Sequence, residues 1–263
     1  MKNSSGVTTR VCGEVLLVTL DRPKANAVDA VTSAALYEAF VELDARDDLR
    51  VGVLTGSGER FFCAGWDLKS AAQGEEHGAD QGEGGFAGLT EYFDLRKPVI
   101  AAVNGAAYGG GVELMLACHL AVVAEHAVFA FPEAGLGILP DAGGLTRLPS
   151  TLPRVIAMEL LLTGREFTAR EAYAWGLANA VVPGGDVLDT AFALAQRVCR
   201  AAPLAVEAIL ETVSRTRGVP EREAFAALRT ELEPAVSAVI HSRDAAEGVA
   251  AFTERRAARW VGR

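Results

Sequence analysis

The 263-residue sequence predicts an α/β fold followed by a region made only of helices. Short β-branched runs alternate with stretches of helical periodicity as far as residue 185, the pattern of strands connected through helices. From Asp186 onward the apolar repeats are helical only. Half of the residues are hydrophobic and only 7% aromatic, so aliphatic side chains and alanine must fill the interior. A chain of this size can build such a core without disulfides or a structural metal.

In chain order, residues 14–20 (EVLLVTL) form a buried strand closed by Asp21-Arg22-Pro23. A helix starts at Ala30, with Leu36, Phe40 and Leu43 at helical spacing and Asp29 placed to cap it. Residues 51–55 are a second strand, ended by Gly56-Ser57-Gly58. The stretch 70–88 is glycine-rich and acidic, which predicts a mobile surface segment or lid. Residues 99–103 form a third strand, and Gly109-Gly110-Gly111 opens a helix through Cys118; apolar runs follow at 120–124 and 128–131. The interval 99–124 is apolar enough to resemble a membrane span, but Asn104, Glu113 and His119 within it favour a buried strand-turn-helix. Beyond it, Leu188, Phe192 and Ala195 line one helical face and Phe225, Leu228 and Leu232 another, while Pro203 and Pro220 suit first turns. Residues 1–185 are thus expected to form the core, and 186–263 a helical appendage whose apolar faces need a partner.

Charge and motif content exclude several classes of function. Lys and Arg number 25 against 34 Asp and Glu, a formal charge of -9, which opposes binding to nucleic acid or anionic membranes. An RNA-binding reading would need a basic face, and the one clear basic cluster is the C-terminal arginines. Cys12, Cys63, Cys118 and Cys199 lie far apart and the four histidines show no ligand spacing, so reduced thiols, no metal and a cytoplasmic location are expected. The polar N-terminus lacks the apolar stretch of a signal peptide. Dinucleotide, P-loop and nucleophile-elbow motifs are all missing.

Two glutamates stand out. Glu113 falls in the first turn of the helix behind the glycine triplet, and Glu133 follows Pro132 just after an apolar run. Each alone reads as a cap or an ion-paired carboxylate, because an unpaired charge in apolar sequence is costly. Together they point to a carboxylate pair whose mutual repulsion keeps one member protonated near neutral pH, suited to acid and base work on adjacent atoms. The glycines add potential oxyanion donors, because N–H groups at a helix start point outward without an intrahelical partner. Gly110 is one such donor, and the tight loop FFCAGWDL after the second strand offers another. Two N–H groups on one oxygen would stabilise an enolate.

RPKANAVDA (22–30), FFCAGWDLK (61–69), KPVIAAVNGAAYGGGVEL (97–114) and FPEAGLGILPDAGG (131–144) resemble, in order and spacing, the crotonase or enoyl-CoA hydratase/isomerase family. LTGREFTAREAYAWGLAN (162–179) and the C-terminal AFTERRAARW extend the resemblance over nearly the whole chain. The resemblance implies a spiral of ββα units with a C-terminal helical trimerisation region, in a homotrimer or a dimer of trimers. It implies an acyl-CoA thioester substrate, no cofactor beyond the coenzyme A that the substrate carries, and a thioester enolate held by the Trp66 and Gly110 N–H groups. The glutamates that family hydratases use fall on Glu113 and Glu133, which favours reversible syn addition or elimination of water over isomerisation. Coenzyme A contacts are implied at Lys24, Ala64, Asp67, Leu68, Lys69 and Arg255. Several segments look nearest to a branch whose substrate carries a trimethylammonium group. Trp66, Phe86, Tyr92, Phe93 and Tyr108 are then candidates for the acyl pocket, where a cation gains ~0.5–2 kcal/mol over each well-placed aromatic face.

Overall fold

A computed structural model describes residues 5–72, 74 and 81–263. Strands β1 (Val7–Cys12) and β2 (Val15–Leu20) form an antiparallel hairpin, and helix α1 (Ala30–Ala45) follows. The Asp29 carboxylate accepts the Thr32 N–H at 2.9 Å, and Leu36, Phe40 and Leu43 are fully buried, as their spacing predicts.

The chain then makes three similar turns. Each begins with a strand pair: β3 (Val51–Gly56) with β4 (Phe61–Cys63), β5 (Val99–Val103) with β6 (Ala106–Tyr108), and β7 (Leu120–Ala124) with β8 (Val128–Ala130). The first strand of every pair enters one sheet and the second enters another, each parallel to its counterpart in the turn before. Helices α2 (Leu68–Ala72) and α3 (Gly110–Ala117) follow the first two pairs. Helices α4 (Glu133–Leu136), α5 (Gly144–Thr151) and α6 (Arg154–Thr163) follow the third. Two-residue strand β9 (Phe167–Thr168) closes the smaller sheet; after α7 (Ala169–Ala174), β10 (Ala180–Val182) closes the larger. The sheet orders are β1-β2-β3-β5-β7-β10 and β4-β6-β8-β9, the spiral of ββα units that the sequence resemblance implies. Every residue of β3 and β5 is buried, which explains why these strands read as continuous apolar runs rather than alternating ones. The interval 99–124 is strand, strand, helix and strand, and among the described residues no helix is long and apolar enough to cross a membrane.

Helix α8 (Val187–Cys199) is the first of the helix-only region, yet its stripe Val187, Ala191, Ala195 and Cys199 is buried against β3, β5 and β7. That helix therefore belongs to the core. Helices α9 (Pro203–Thr216), α10 (Glu221–Ala227), α11 (Glu233–Ile240) and α12 (Arg243–Thr253) differ: the first three bury no residue of their own. Ile209, Val213, Phe225, Ile240 and Phe252 are all more than half exposed in the single chain. Pro203 opens α9 as expected, whereas Pro220 stands one residue before α10 as its cap.

The mobile segment expected at 70–88 falls partly on residues 73 and 75–80, which lie outside the described set. Residues 81–88 are tied down on α1. The Ala87 N–H donates to Ser33 Oγ at 3.0 Å, Ser33 Oγ donates to Gln81 Oε1 at 2.8 Å, and the Tyr37 hydroxyl donates to Glu83 Oε2 at 2.6 Å. Glycines at positive φ, Gly85 and Gly88, allow this tight path; at Gly88 a β-carbon would strike the backbone of α1.

Candidate active site

The spiral places the N-termini of α3 and α4 in equivalent positions, each just beyond a strand of the smaller sheet. Glu113 sits in the first turn of α3 and Glu133 is the first residue of α4. Both carboxylates face one cleft of about 420 Å³, and both residues are buried, at 3% and 6% exposure. Glu113 Oε1 accepts the Gly144 N–H at 2.8 Å, from the first residue of α5. Glu133 Oε2 is, among the described residues, the one buried side-chain polar atom with no hydrogen-bond partner.

Burial raises the pKa of both groups by penalising their charged forms. Glu113 is pushed up to about 8: beyond burial, the Glu133 and Asp141 charges add to the rise, while the Gly144 N–H and the Arg147 guanidinium oppose it. A carboxyl in the first turn of a helix is ordinarily favoured as the anion by the helix dipole; here burial prevails. Glu113 is therefore the member held protonated near neutrality, and because the Glu133 charge contributes to its rise the two titrate as a coupled pair.

Two backbone segments approach each other beside them, the loop around Trp66 and the start of α3. The Gly65 carbonyl accepts from Val28 N–H and the Asp67 N–H donates to the Val28 carbonyl, both at 2.8 Å. Alternation along this extended segment turns the intervening Trp66 N–H to the opposite side. Gly65 has φ +83°, and a β-carbon there would lie 2.6 Å from the Tyr108 carbonyl oxygen and 3.0 Å from Gly110 N. Only glycine lets the loop approach the start of α3 so closely. The Gly110 N–H is at the first position of α3, where no intrahelical acceptor exists. Gly109 before it has φ +51° and sits directly under Glu133, so that a β-carbon would collide with Glu133 Oε1.

Of the residues expected for the acyl pocket, Trp66 and Phe86 line the cleft, and the Phe86 ring covers Gly110. The other three do not. The Tyr92 ring packs edge-on against Tyr37 at 5.1 Å, Phe93 is 71% exposed on the surface, and the Tyr108 hydroxyl is drawn to Glu166 Oε1 at 2.8 Å. Tyr92 and Tyr108 thus engage neighbouring elements, and Phe93 faces solvent. Of the expected coenzyme A contacts, Ala64 and the exposed Leu68 form part of the cleft wall. Asp67 is engaged locally, accepting the Lys69 N–H at 3.0 Å and facing Arg22 at 3.3 Å. Lys24 and Lys69 are exposed outside the wall, although the Ala64 N–H donates to the Ala25 carbonyl at 3.0 Å and holds Lys24's segment beside the loop. Arg255 lies exposed beyond α12 and takes no part in the cleft of its own chain. Sequence reasoning missed Asp141, Arg147 and the Gly144 N–H as neighbours of Glu113, and Glu91 in the cleft wall. The Gly143-Gly144 pair was the available signal for the Gly144 N–H, because adjacent glycines mark a close backbone approach. Among the described residues no group of three or more His, Cys, Asp or Glu side chains could hold a metal ion.

A spiral of ββα turns with two acids and two backbone donors around one cleft defines a class of acyl-thioester enzymes, and the chain belongs to it. The enoyl-CoA hydratase/isomerase family model matches residues 11–263, so the chain is a member of that family. It is 51% identical to the carnitinyl-CoA dehydratase of Proteus mirabilis over 263 residues, all of both chains. It is 53% identical to that of Salmonella typhi over 251 residues, covering 95% of this chain and 96% of the relative. Its fold superposes on the crystal structure of enoyl-CoA hydratase from Mycobacterium tuberculosis with a TM-score of 0.91 and 41% identity, covering 99% and 100% of the two chains.

Proposed function

We propose that the chain is a hydro-lyase that interconverts carnitinyl-CoA and crotonobetainyl-CoA plus water. The reading rests on two glutamates buried in one cleft, Glu113 held protonated near neutrality and Glu133 with a buried oxygen that has no partner, beside the N–H at the start of α3. In dehydration Glu133, acting as a carboxylate, takes the α-proton through Oε2, the oxygen without a hydrogen-bond partner. The electron pair moves onto the thioester carbonyl oxygen, which receives the Trp66 and Gly110 N–H groups. As the enolate collapses, the C–O bond at the β-carbon breaks, and the proton on Glu113 leaves with the hydroxyl as water. The pair ends with its single proton on Glu133, so hydration runs the same steps backward from that state. Both acids reach the substrate from one cleft, which fits syn stereochemistry. Positioned proton transfer contributes roughly 10²–10⁴-fold in such a reaction, and an oxyanion donor roughly 10²–10³-fold.

The acyl group is read from the identity to carnitinyl-CoA dehydratases and from the cleft itself. Trp66 and Phe86 present aromatic surface, and Glu91 and Asp141 add negative charge to the same cleft, a combination suited to a quaternary ammonium. Coenzyme A is then the handle by which remote binding energy positions the acyl chain. We read α9–α12 as the surface by which copies of the chain assemble, with a trimer or a pair of trimers as the expected form, because their apolar side chains find no cover within one chain.

The test is kcat/KM for hydration of crotonobetainyl-CoA and crotonyl-CoA on one preparation, with Glu133→Gln as the control. A preference of roughly tenfold for the cationic substrate equals about 1.4 kcal/mol of differential transition-state binding and supports the reading. Equal rates, or a preference for crotonyl-CoA, leave a hydratase without carnitine specificity. Unchanged activity in Glu133→Gln removes the mechanism altogether.

A further inference from the structure

Arg147 takes no direct part in the scheme above, yet its guanidinium is held inward between the two walls of the cleft. Nη2 donates to the Thr90 carbonyl at 2.5 Å and Nη1 to the Ala142 carbonyl at 3.3 Å. Thr90 in turn bonds back to the Phe86 carbonyl through both Oγ1 (2.9 Å) and its N–H (3.3 Å), and the Phe86 ring lies over Gly110. Ala142 precedes Gly143-Gly144, the turn whose second N–H holds Glu113. Gly143 has φ +133°, and a β-carbon there would collide with Arg147 Nη1, so the turn is shaped around this guanidinium. One side chain thus ties the wall that carries Phe86 to the wall that orients Glu113.

We propose that Arg147 is a positioning residue for the carboxylate pair, clamping the 86–91 wall to the 140–144 turn and so fixing the Gly144 N–H on Glu113. The inference rests on the hydro-lyase reading given above. Neither a lysine nor a neutral residue can replace the fork: a guanidinium offers donors in two directions from one plane and keeps its charge when buried, whereas an ammonium is a point charge. Charge enters as well. Glu113 feels Arg147 as the stabilising cation and Glu133 and Asp141 as repelling anions, with the Gly144 N–H as its hydrogen-bond donor. Arg147 feels the charges of Glu113, Glu91 and Cys118 and the repulsion of Arg217; Arg217, at the end of α9, donates to the Arg147 carbonyl at 3.4 Å and to Ser150 Oγ. Removing the guanidinium takes away the cation that lowers the Glu113 pKa and slackens the N–H bond that lowers it too. Both changes raise that pKa.

The experiment is the pH profile of kcat/KM, with kcat and KM resolved, for wild type, Arg147→Gln, Arg147→Lys and Arg147→Ala, the last with and without added guanidinium ion. Arg147→Gln is expected to lose kcat by roughly 10–100-fold, the size of effect that a small misplacement of a reacting group produces. Its alkaline limb should move to higher pH. Arg147→Lys, which keeps the charge but not the fork, should lose kcat with a smaller movement of the limb. Guanidinium, but not urea at the same concentration, should restore activity to Arg147→Ala. Variants that keep wild-type kcat, or that lose it with an unmoved limb and no guanidinium rescue, overturn the proposal. Wild-type protein that hydrates no enoyl-CoA would instead refute the hydro-lyase reading, a separate result.

Discussion

Glu113→Gln removes the proposed acid and should nonetheless make the protein more stable, by an amount that depends on pH in a defined way. The wild-type carboxyl has a folded pKa of about 8 against an ordinary value of 4.5. Because the folded value is the higher one, the folded state binds the proton more tightly, and stability is lost as pH rises above 4.5 until the loss levels off beyond about 8. Each pH unit within that window is worth 1.36 kcal/mol. Integrating gives a destabilisation by Glu113 of about 1 kcal/mol at pH 5, about 3 at pH 7 and about 5 at pH 9. Glutamine has nearly the same shape, and its carbonyl oxygen can still accept the Gly144 N–H, but it carries no proton linkage. The difference in unfolding free energy between Glu113→Gln and wild type should therefore grow steadily across this range. Urea unfolding at pH 5, 7 and 9, at equal protein concentration so that assembly does not enter the comparison, measures it. A constant difference from pH 5 to 9 would show that the folded protein does not hold Glu113 protonated, and the assignment of acid and base would fall with it.

The same titration should appear in catalysis: kcat/KM for hydration should fall above pH 8 as the shared proton is lost, and also on the acid side as the pair takes up a second proton and loses its base. A profile flat between pH 6 and 10, measured in a buffer series of constant ionic strength, would contradict a one-proton pair. Gly109→Ala should reduce kcat by roughly 10²-fold or more, because its β-carbon would displace the Glu133 carboxylate as well as strain a backbone held at φ +51°. Retention of near-normal kcat in that variant would mean that Glu133 does not act from the position observed.

What the sequence displays plainly are the elements whose physical requirements are met locally. α1 has its cap and its apolar stripe within sixteen residues, and β3 and β5 are buried on both faces, so their composition alone gives them away. β1 is invisible by the same standard: it is an exposed edge strand with one buried residue, VTTRVC, and only pairing with β2 defines it. β4, β6, β8 and β9 are two or three residues long, too short to show a period, and the smaller sheet that they build exists only through contacts between successive turns of the spiral. The site divides in the same manner. Glu113, Glu133 and Gly110 announce themselves because a charge in apolar sequence and a glycine run are local anomalies. Arg147 does not, since an arginine in a short helix reads as surface, and its placement depends on Thr90, 57 residues away. The aromatic side chains show the opposite error. Tyr92, Phe93 and Tyr108 lie near the cleft in sequence, and residue type alone cannot say which way a ring turns.

The two carboxylates differ because their surroundings do. Glu113 has a permanent N–H partner and a neighbouring guanidinium, both of which favour its anion, yet its pKa is raised to about 8, so burial and the neighbouring carboxylates outweigh them. Glu133 keeps one oxygen buried and without a partner, a state that is costly for an anion and persists in folded proteins only where something compensates. The reacting substrate supplies that compensation in the scheme proposed here: the orphaned oxygen gains its proton from the α-carbon when the oxyanion donors receive the charge. The same crowding favours glycine at 109, since a β-carbon there would collide with Glu133 Oε1 and displace the carboxylate. Stability is thus spent at both glutamates, and the closely packed aliphatic strands β3, β5 and β7 beneath them supply the margin from which it is drawn.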